Sequence, residues 1–145
     1  MSNNPFIVRQ ATPDDVSFLF SSWLKSFRDA ASVKGVPSGL YYPCQHAVIE
    51  AILQRKCCTA LIACDPEDPS QIFGYVVAEY VTDGLVIHFT YTKFNMRNLG
   101  IAKALVTTLV VPTIKFVQFS HRTRAVDTLD SKLSAAGFVF NPFSR

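Results

Sequence analysis

The sequence carries few charges and no long block of either sign. Asp, Glu, Lys and Arg make up 17% of the chain, and the net charge is only +3. Nucleic-acid binders usually show a basic stripe. The densest basic spot here is His121-Arg122-Thr123-Arg124, which argues against nucleic acid as a partner. It is compatible with a small basic site for an anionic cofactor. There is no secretory signal and no apolar run long enough to span a bilayer, so no membrane partner is expected. Cys44, Cys57, Cys58 and Cys64 lack the spacing of a zinc site, so no metal is expected. Adjacent Cys57 and Cys58 on a strand would point to opposite faces and are poor partners for each other. All four are expected to be buried, reduced thiols, which fits a cytoplasmic protein. Internal repeats, linkers and low-complexity segments are also missing.

What is present is apolar. Hydrophobic residues make up 49% of the 145, which argues against disorder. A chain this long can bury roughly 70% of its unfolded surface, so residues 1–145 are read as one domain with one core. Phe is abundant at 12 residues, enough for core packing and for lining a groove or interface.

The periodicities give an element order. Phe6 to Ala11 reads as a strand. Thr12 suits an N-cap and Pro13 a first helical position, and Val16, Leu19, Phe20, Trp23 and Phe27 then recur at helical spacing. Gly35, Pro37, Gly39 and Pro43 mark Ala31 to Pro43 as a loop, with a second helix over Gln45 to Lys56. Three strands follow, Cys57–Cys64, Ile72–Tyr80 and Leu85–Thr92, joined by turns short enough for antiparallel pairing. A helix runs from Gly100 to about Leu109, a strand over Ile114–Phe119, a helix over Asp127–Ala136 and a closing strand over Phe138–Phe140. The order is β-α-α-β-β-β-α-β-α-β. It predicts a mixed α/β (α+β) domain with helices on both faces. Only strands four and five, joined through a helix, are expected to be parallel, with a right-handed crossover.

The most informative stretch is Leu85 to Leu109, a buried strand running through a polar loop into a helix. The loop reads Arg97-Asn98-Leu99-Gly100-Ile101-Ala102, or Arg-x-x-Gly-x-Ala. Gly100 lets the backbone approach a ligand closely, and Ala102 keeps the first helical turn slim. The N–H groups of Leu99, Gly100, Ile101 and Ala102 are free to face an anion, with Arg97 adding charge. The pattern alone is weak; its place after a β-meander and before a helix strengthens it.

With this loop, Val86 to Leu105 (VIHFTYTKFNMRNLGIAKAL) and the strand order resemble the GNAT superfamily of acyl-CoA-dependent N-acyltransferases. The resemblance covers nearly the whole chain. It implies acetyl-CoA as co-substrate, its pyrophosphate on Arg97, Asn98, Leu99, Gly100, Ile101 and Ala102. The backbone of Tyr91 and Thr92 would hold the pantetheine arm and thioester carbonyl. Strand four would part from strand five after a bulge, opening a slot near Thr90–Thr92 and Val117–Phe119. An amine, on a small molecule or a protein, would attack the thioester once a base removes its proton. By alternation Val86, His88, Thr90 and Thr92 share one face of strand four, and Tyr91 faces away. The family's frequent Glu is Val86 here. His88 lies on the same face, as in the arylalkylamine N-acetyltransferases, and is the candidate base. The position where many members carry an acidic Tyr is Leu133, and a customary Asn is Val126; Ser131 and Ser134 are the hydroxyls nearby. The alternative is a catalytically weak or inactive module that binds acyl-CoA or a protein partner. The tail after Phe140 is short for a closing hairpin, so a second copy of the chain could complete the sheet edge as a homodimer.

Overall fold

A computed structural model of the chain describes residues 5–97, 99–123, 138–141 and 143. Thr12-Pro13-Asp14-Asp15 shows how the first strand is turned into the first helix. Strand β1 (Ile7–Gln10) is followed by a 3-10 turn over Pro13–Asp15, and then by helix α1 (Val16–Phe27). The Asp15 carboxylate accepts the Thr12 backbone N–H at 2.8 Å and two N–H groups of Arg9 at 2.8 and 3.0 Å. Pro13 is tolerated because a first-turn N–H has no helical acceptor to lose.

That cluster has a pH signature. The hydrogen bond from Arg9 holds the Asp15 carboxyl below its ordinary range, against the opposite pull of burial. A carboxyl depressed in the folded state adds stability above its unfolded pKa of about 3.9, and loses it as pH falls through the folded value. Asp15→Asn should therefore cost about 1–3 kcal/mol at neutral pH. Urea unfolding of the variant should also decline less steeply into acid than that of the wild type. Equal slopes would remove the pair from the stability account.

Helix α2 (Ser38–Leu53) starts earlier than the run of Gly and Pro suggests. Pro37 ends the preceding loop, and its carbonyl accepts the N–H groups of both Leu40 and Tyr41, at 3.0 and 2.9 Å. Pro43 lies inside the helix near its start, where its missing N–H costs only the ladder bond to Gly39. The expected loop over Ala31–Pro43 is thus helical from Ser38, and Tyr41 is a buried core residue whose hydroxyl donates to the Leu24 carbonyl at 2.6 Å.

Strands β2 (Cys58–Cys64), β3 (Ile72–Val81) and β4 (Gly84–Thr92) follow as a meander. Helix α3 (Ile101–Leu109) then leads to β5 (Phe116–Phe119), and β6 (Phe138–Phe140) closes the sheet. Among the described residues, six strands stand side by side in chain order. β1 to β4 pair antiparallel, and β4 and β5 are parallel. β5 and β6 are parallel too, whereas an antiparallel pair is expected from the sequence. The connection over residues 120–137 is long enough for a crossover, and only a short turn would force reversal. The helix expected over Asp127–Ala136, with Val126, Ser131, Leu133 and Ser134, lies outside the described residues.

The sheet has a buried layer on each face. α3 packs Ile101, Leu105, Val106 and Leu109 on Leu61, Val76, Ala78, Leu85, Ile87 and Val117. α1 and α2 pack Leu19, Trp23, Phe27, Ile49 and Ile52 on Ile62, Tyr75, Val77 and Phe89. All four cysteines are free. Cys64 is buried and Cys58 half-buried, but Cys44 and Cys57 are exposed rather than buried as expected. Cys44 lies on α2 next to the inward Gln45, and Cys57 precedes β2 in a turn. No helix among the described residues is long and apolar enough to cross a membrane.

Candidate functional site

β4 does not alternate regularly. Phe89 pairs with Val77, but the next pair along is Ile87 with Ala78, leaving His88 as an extra residue on β4. Such a bulge inserts one residue and bends its strand. It also exchanges the faces. Leu85 and Ile87 pack toward α3, while Phe89 and Tyr91 pack toward α1 and α2. Directly opposed residues of an antiparallel pair share a face. Thr90 opposes Val76, which faces α3, and Thr92 opposes Gly74, whose missing Cβ would press on Ile101 Cγ2 at 3.0 Å. Val86 opposes Glu79, the residue that His88 reaches. The expectation that Val86, His88, Thr90 and Thr92 share one face is therefore wrong, because the bulge divides them. Val86 and His88 lie on the α1–α2 side with Tyr91, and Thr90 and Thr92 on the α3 side.

His88 is fully buried and both ring nitrogens are engaged. Nε2 lies 2.6 Å from Glu79 Oε1, and Nδ1 lies 2.7 Å from Ser120 Oγ. Burial lowers the His88 pKa more than the neighbouring carboxylate raises it, so the ring is neutral near pH 7. Glu79 is pushed up by burial, but hydrogen bonds from His88 and Arg55 outweigh this and keep it ionised. Arg55 Nη1 is 2.5 Å from the same Oε1. Ser120 Oγ continues the chain to His121 Nδ1 at 2.9 Å, and His121 Nε2 meets the Gln45 amide at 2.9 Å. His121 sits between the rings of Trp23 and Phe27, at 5.2 and 4.7 Å. It is thus a buried residue and no part of a surface basic spot; Arg124, the last member of that spot, lies outside the described residues.

The bulge coincides with the parting of two strands. β4 and β5 pair from Gly84 with Phe116 to Ile87 with Phe119, and the last link is the Ser120 N–H donating to the Ile87 carbonyl at 3.1 Å. From His88 to Thr92, no strand among the described residues lies beside β4 on that edge. The opening therefore begins at Ser120. Val117–Phe119, expected along it, are paired instead, because the strands separate only where the bulge bends β4. Thr90 contributes an unusual atom: its Oγ1 is buried and has no hydrogen-bond partner among the described residues. A buried hydroxyl without a partner costs about 1–3 kcal/mol, so the slot holds a polar atom suited to a ligand.

The loop after β4 is built around one backbone conformation. A 3-10 turn over Phe94–Met96 leads to Arg97, and Gly100 has φ of 75°. That left-handed geometry favours Gly, and it turns the chain directly into α3. The first helical bond runs from the Ala104 N–H to the Gly100 carbonyl at 2.9 Å, so the N–H groups ahead of it lie at the helix start. No acidic residue occupies the first turn, where one would normally offset the positive helix end. Lys103 is there instead, and the Arg97 guanidinium lies over the Phe94 ring at 5.2 Å. Gly74 lets the far end of β4 come close, since a Cβ there would stand 2.5 Å from the Tyr91 carbonyl oxygen. The loop residues Arg97, Leu99 and Gly100 are exposed, Ala102 is partly buried, and the Ile101 side chain anchors the helix in the core. Asn98 lies outside the described residues. A separate cleft of about 380 Å³ between β1 and the start of β2 shares none of these residues.

Similar three-dimensional arrangements recur among solved structures. One is described as histone acetyltransferase HPA2 and related acetyltransferase from Corynebacterium glutamicum. It is 13% identical with a TM-score of 0.66, over 89% of this chain and 83% of that one. A GNAT-family acetyltransferase from Staphylococcus aureus is 12% identical, with a TM-score of 0.62 over 91% and 82% of the two chains. This is the GNAT fold. A third neighbour, PaiA N-acetyltransferase from Thermoplasma acidophilum in complex with coenzyme A, is 13% identical, with a TM-score of 0.62 over 93% and 89%. No family model and no curated protein matches the sequence.

Sequence reasoning missed Glu79, Ser120 and Gln45 and counted His121 in a basic spot, although its ring is buried. Glu79 was within reach. Val81 pairs with Gly84 across a two-residue turn, and counting back from that turn places Glu79 opposite Val86.

Proposed function

We propose that the protein is an acyl-CoA-dependent N-acyltransferase that moves an acetyl group from acetyl-CoA to an amine by direct attack. The observation that carries this reading is the opening of β4 from β5 at the His88 bulge, with a helix start lacking acidic residues at the far end of the same strand. The residues fit the donor. The loop from Arg97 to Ala102 offers N–H groups and a guanidinium to a pyrophosphate. Thr90 Oγ1 and the edge of β4 around Tyr91 and Thr92, open among the described residues, offer hydrogen bonds to an amide-bearing arm. His88 is the base that removes the acceptor's proton, and neutral imidazole is the form such a base requires. The acceptor is a small-molecule amine or an amine on a protein. Four free cysteines, two of them exposed, agree with a reducing compartment such as the cytoplasm.

Calorimetric titration of the wild-type protein with acetyl-CoA should show one site, weakened roughly tenfold or more in Arg97→Ala, as expected for loss of a charge-assisted contact of about 1.5–3 kcal/mol. A wild type that binds no acetyl-CoA would overturn the reading. A second reading, a GNAT-fold module that binds acyl-CoA without turnover, is favoured by one observation: His88 has no free ring nitrogen.

A further inference from the structure

Arg97 is the side chain that the acyltransferase reading sets against the pyrophosphate, and it is exposed. A guanidinium free in water samples many rotamers, and ordering one of them on binding costs affinity. Carboxylates often hold an arginine in place, but here one would compete with the phosphates for the same N–H donors. No Asp or Glu occurs from Gly84 to Val126. Among the described residues, Arg97 forms no ion pair.

What meets the guanidinium is the ring of Phe94. Phe94 opens the 3-10 turn over Phe94–Met96, and Arg97 closes it. The Arg97 N–H points back to the Phe94 carbonyl at 3.4 Å. In a 3-10 turn the side chains at i and i+3 eclipse. The turn therefore carries the guanidinium over the ring, with Cζ 5.2 Å from the centroid. The ring itself is 82% exposed. An apolar ring left in water gains little of the free energy of burial, so core packing does not account for a Phe here.

We propose that Phe94 is a positioning residue for the donor's pyrophosphate: its ring holds the Arg97 guanidinium by a cation–π contact before the anion arrives. This proposal rests on the acyltransferase reading and deepens its donor site. The face of the ring attracts the cation without taking up its N–H donors. Those donors stay available for a bidentate hold on phosphate oxygens. A carboxylate in the same place could not leave them free. Phe94→Leu keeps an apolar contact but removes the negative ring face, so the two functions of the side chain can be separated by that substitution.

Two measurements on the full chain test the pair. In proton spectra of the free protein, the side-chain methylenes of Arg97 should be shifted upfield by the ring, and Phe94→Leu should return them to ordinary values. Unshifted methylenes in the wild type overturn the proposal. The second measurement is a double-mutant cycle, read by calorimetry with acetyl-CoA. Phe94→Leu should weaken binding about two- to fivefold, the worth of an exposed cation–π contact. The same change made in Arg97→Ala should weaken it no further. Phe94→Trp, whose ring face attracts cations best, should bind at least as well as the wild type. Wild-type affinity in Phe94→Leu overturns the proposal. So does an equal loss in both backgrounds, which would mean that the ring meets the ligand by itself, as in stacking on a base. The two kinds of failure are separable. Acetyl-CoA binding with additive losses refutes the positioning role alone, and a wild type that binds no acetyl-CoA refutes the acyltransferase reading and that role with it.

Discussion

Gly100→Asp should lower acetyl-CoA affinity by about 100-fold or more, which corresponds to roughly 3 kcal/mol, while leaving the domain folded. Two effects combine. A carboxylate enters the place where Arg97 and the α3 N-terminus favour an anion, and repulsion replaces attraction. The backbone at φ of 75° must also be held by a residue with a Cβ, at a cost of about 1–2 kcal/mol. Among the described residues no atom lies within 4 Å of where that Cβ would stand, so the change does not collide with the core they form. Asp is among the residues that tolerate this conformation best, which limits the loss of stability. Calorimetry with acetyl-CoA and thermal unfolding of the same sample separate the two. Gly100→Asn, with similar backbone tolerance and no charge, should fall between wild type and Gly100→Asp. Equal affinity in wild type and Gly100→Asp would remove the pyrophosphate from this loop.

Trp23→Ala should be the most damaging single change in the core. The indole is fully buried, stacks on Phe89 at 5.0 Å and 7°, and meets the edge of His121 at 5.2 Å. Truncating a buried Trp costs about 3–5 kcal/mol, a large share of the roughly 5–15 kcal/mol that holds a domain together. Trp23→Phe should cost far less than that. The Trp23 Nε1 hydrogen has no partner among the described residues, so removing it relieves an unsatisfied group and offsets part of the lost packing. Urea unfolding gives both values. If Phe is as destabilising as Ala, the stacking account of this position is wrong. Trp23 also supports one wall of the His121 pocket, so the Ala variant should disturb the hydrogen bonds joining His121, Ser120 and His88 as well as the fold.

The two halves of Leu85–Leu109 were legible to different degrees. The loop is local: Gly100, the slim Ala102 and the helical pattern of Ile101, Leu105 and Leu109 announce a strand-to-helix turn without help from other elements. The strand is not local. Leu85, Ile87, Phe89 and Tyr91 look like one continuous face, but both faces of this sheet are covered, so apolar residues suit either side. Periodicity then carries no mark of an extra residue, and the exchange of faces at His88 becomes visible only in the pairing with Val77 and Ala78. The same limitation moved the slot from Val117–Phe119 to Ser120. For α2, Gly and Pro outweighed the helical pattern in the reading, although Pro37 and Pro43 are both placed where a helix start can accept them. Direction in the last pair of strands could not come from β5 and β6 alone, since it depends on the path of the connection over residues 120–137.

The central claim is transfer of an acetyl group to an amine, and thiol release from acetyl-CoA across a panel of amines tests it most directly, with the organic product identified by mass. The account predicts that the wild type releases thiol in step with an N-acetylated amine, and that His88→Ala slows this by about 100-fold or more with acetyl-CoA binding retained. Thiol released with free acetate and no acetylated amine, or acetyl-CoA bound and left intact with every amine in the panel, would contradict it.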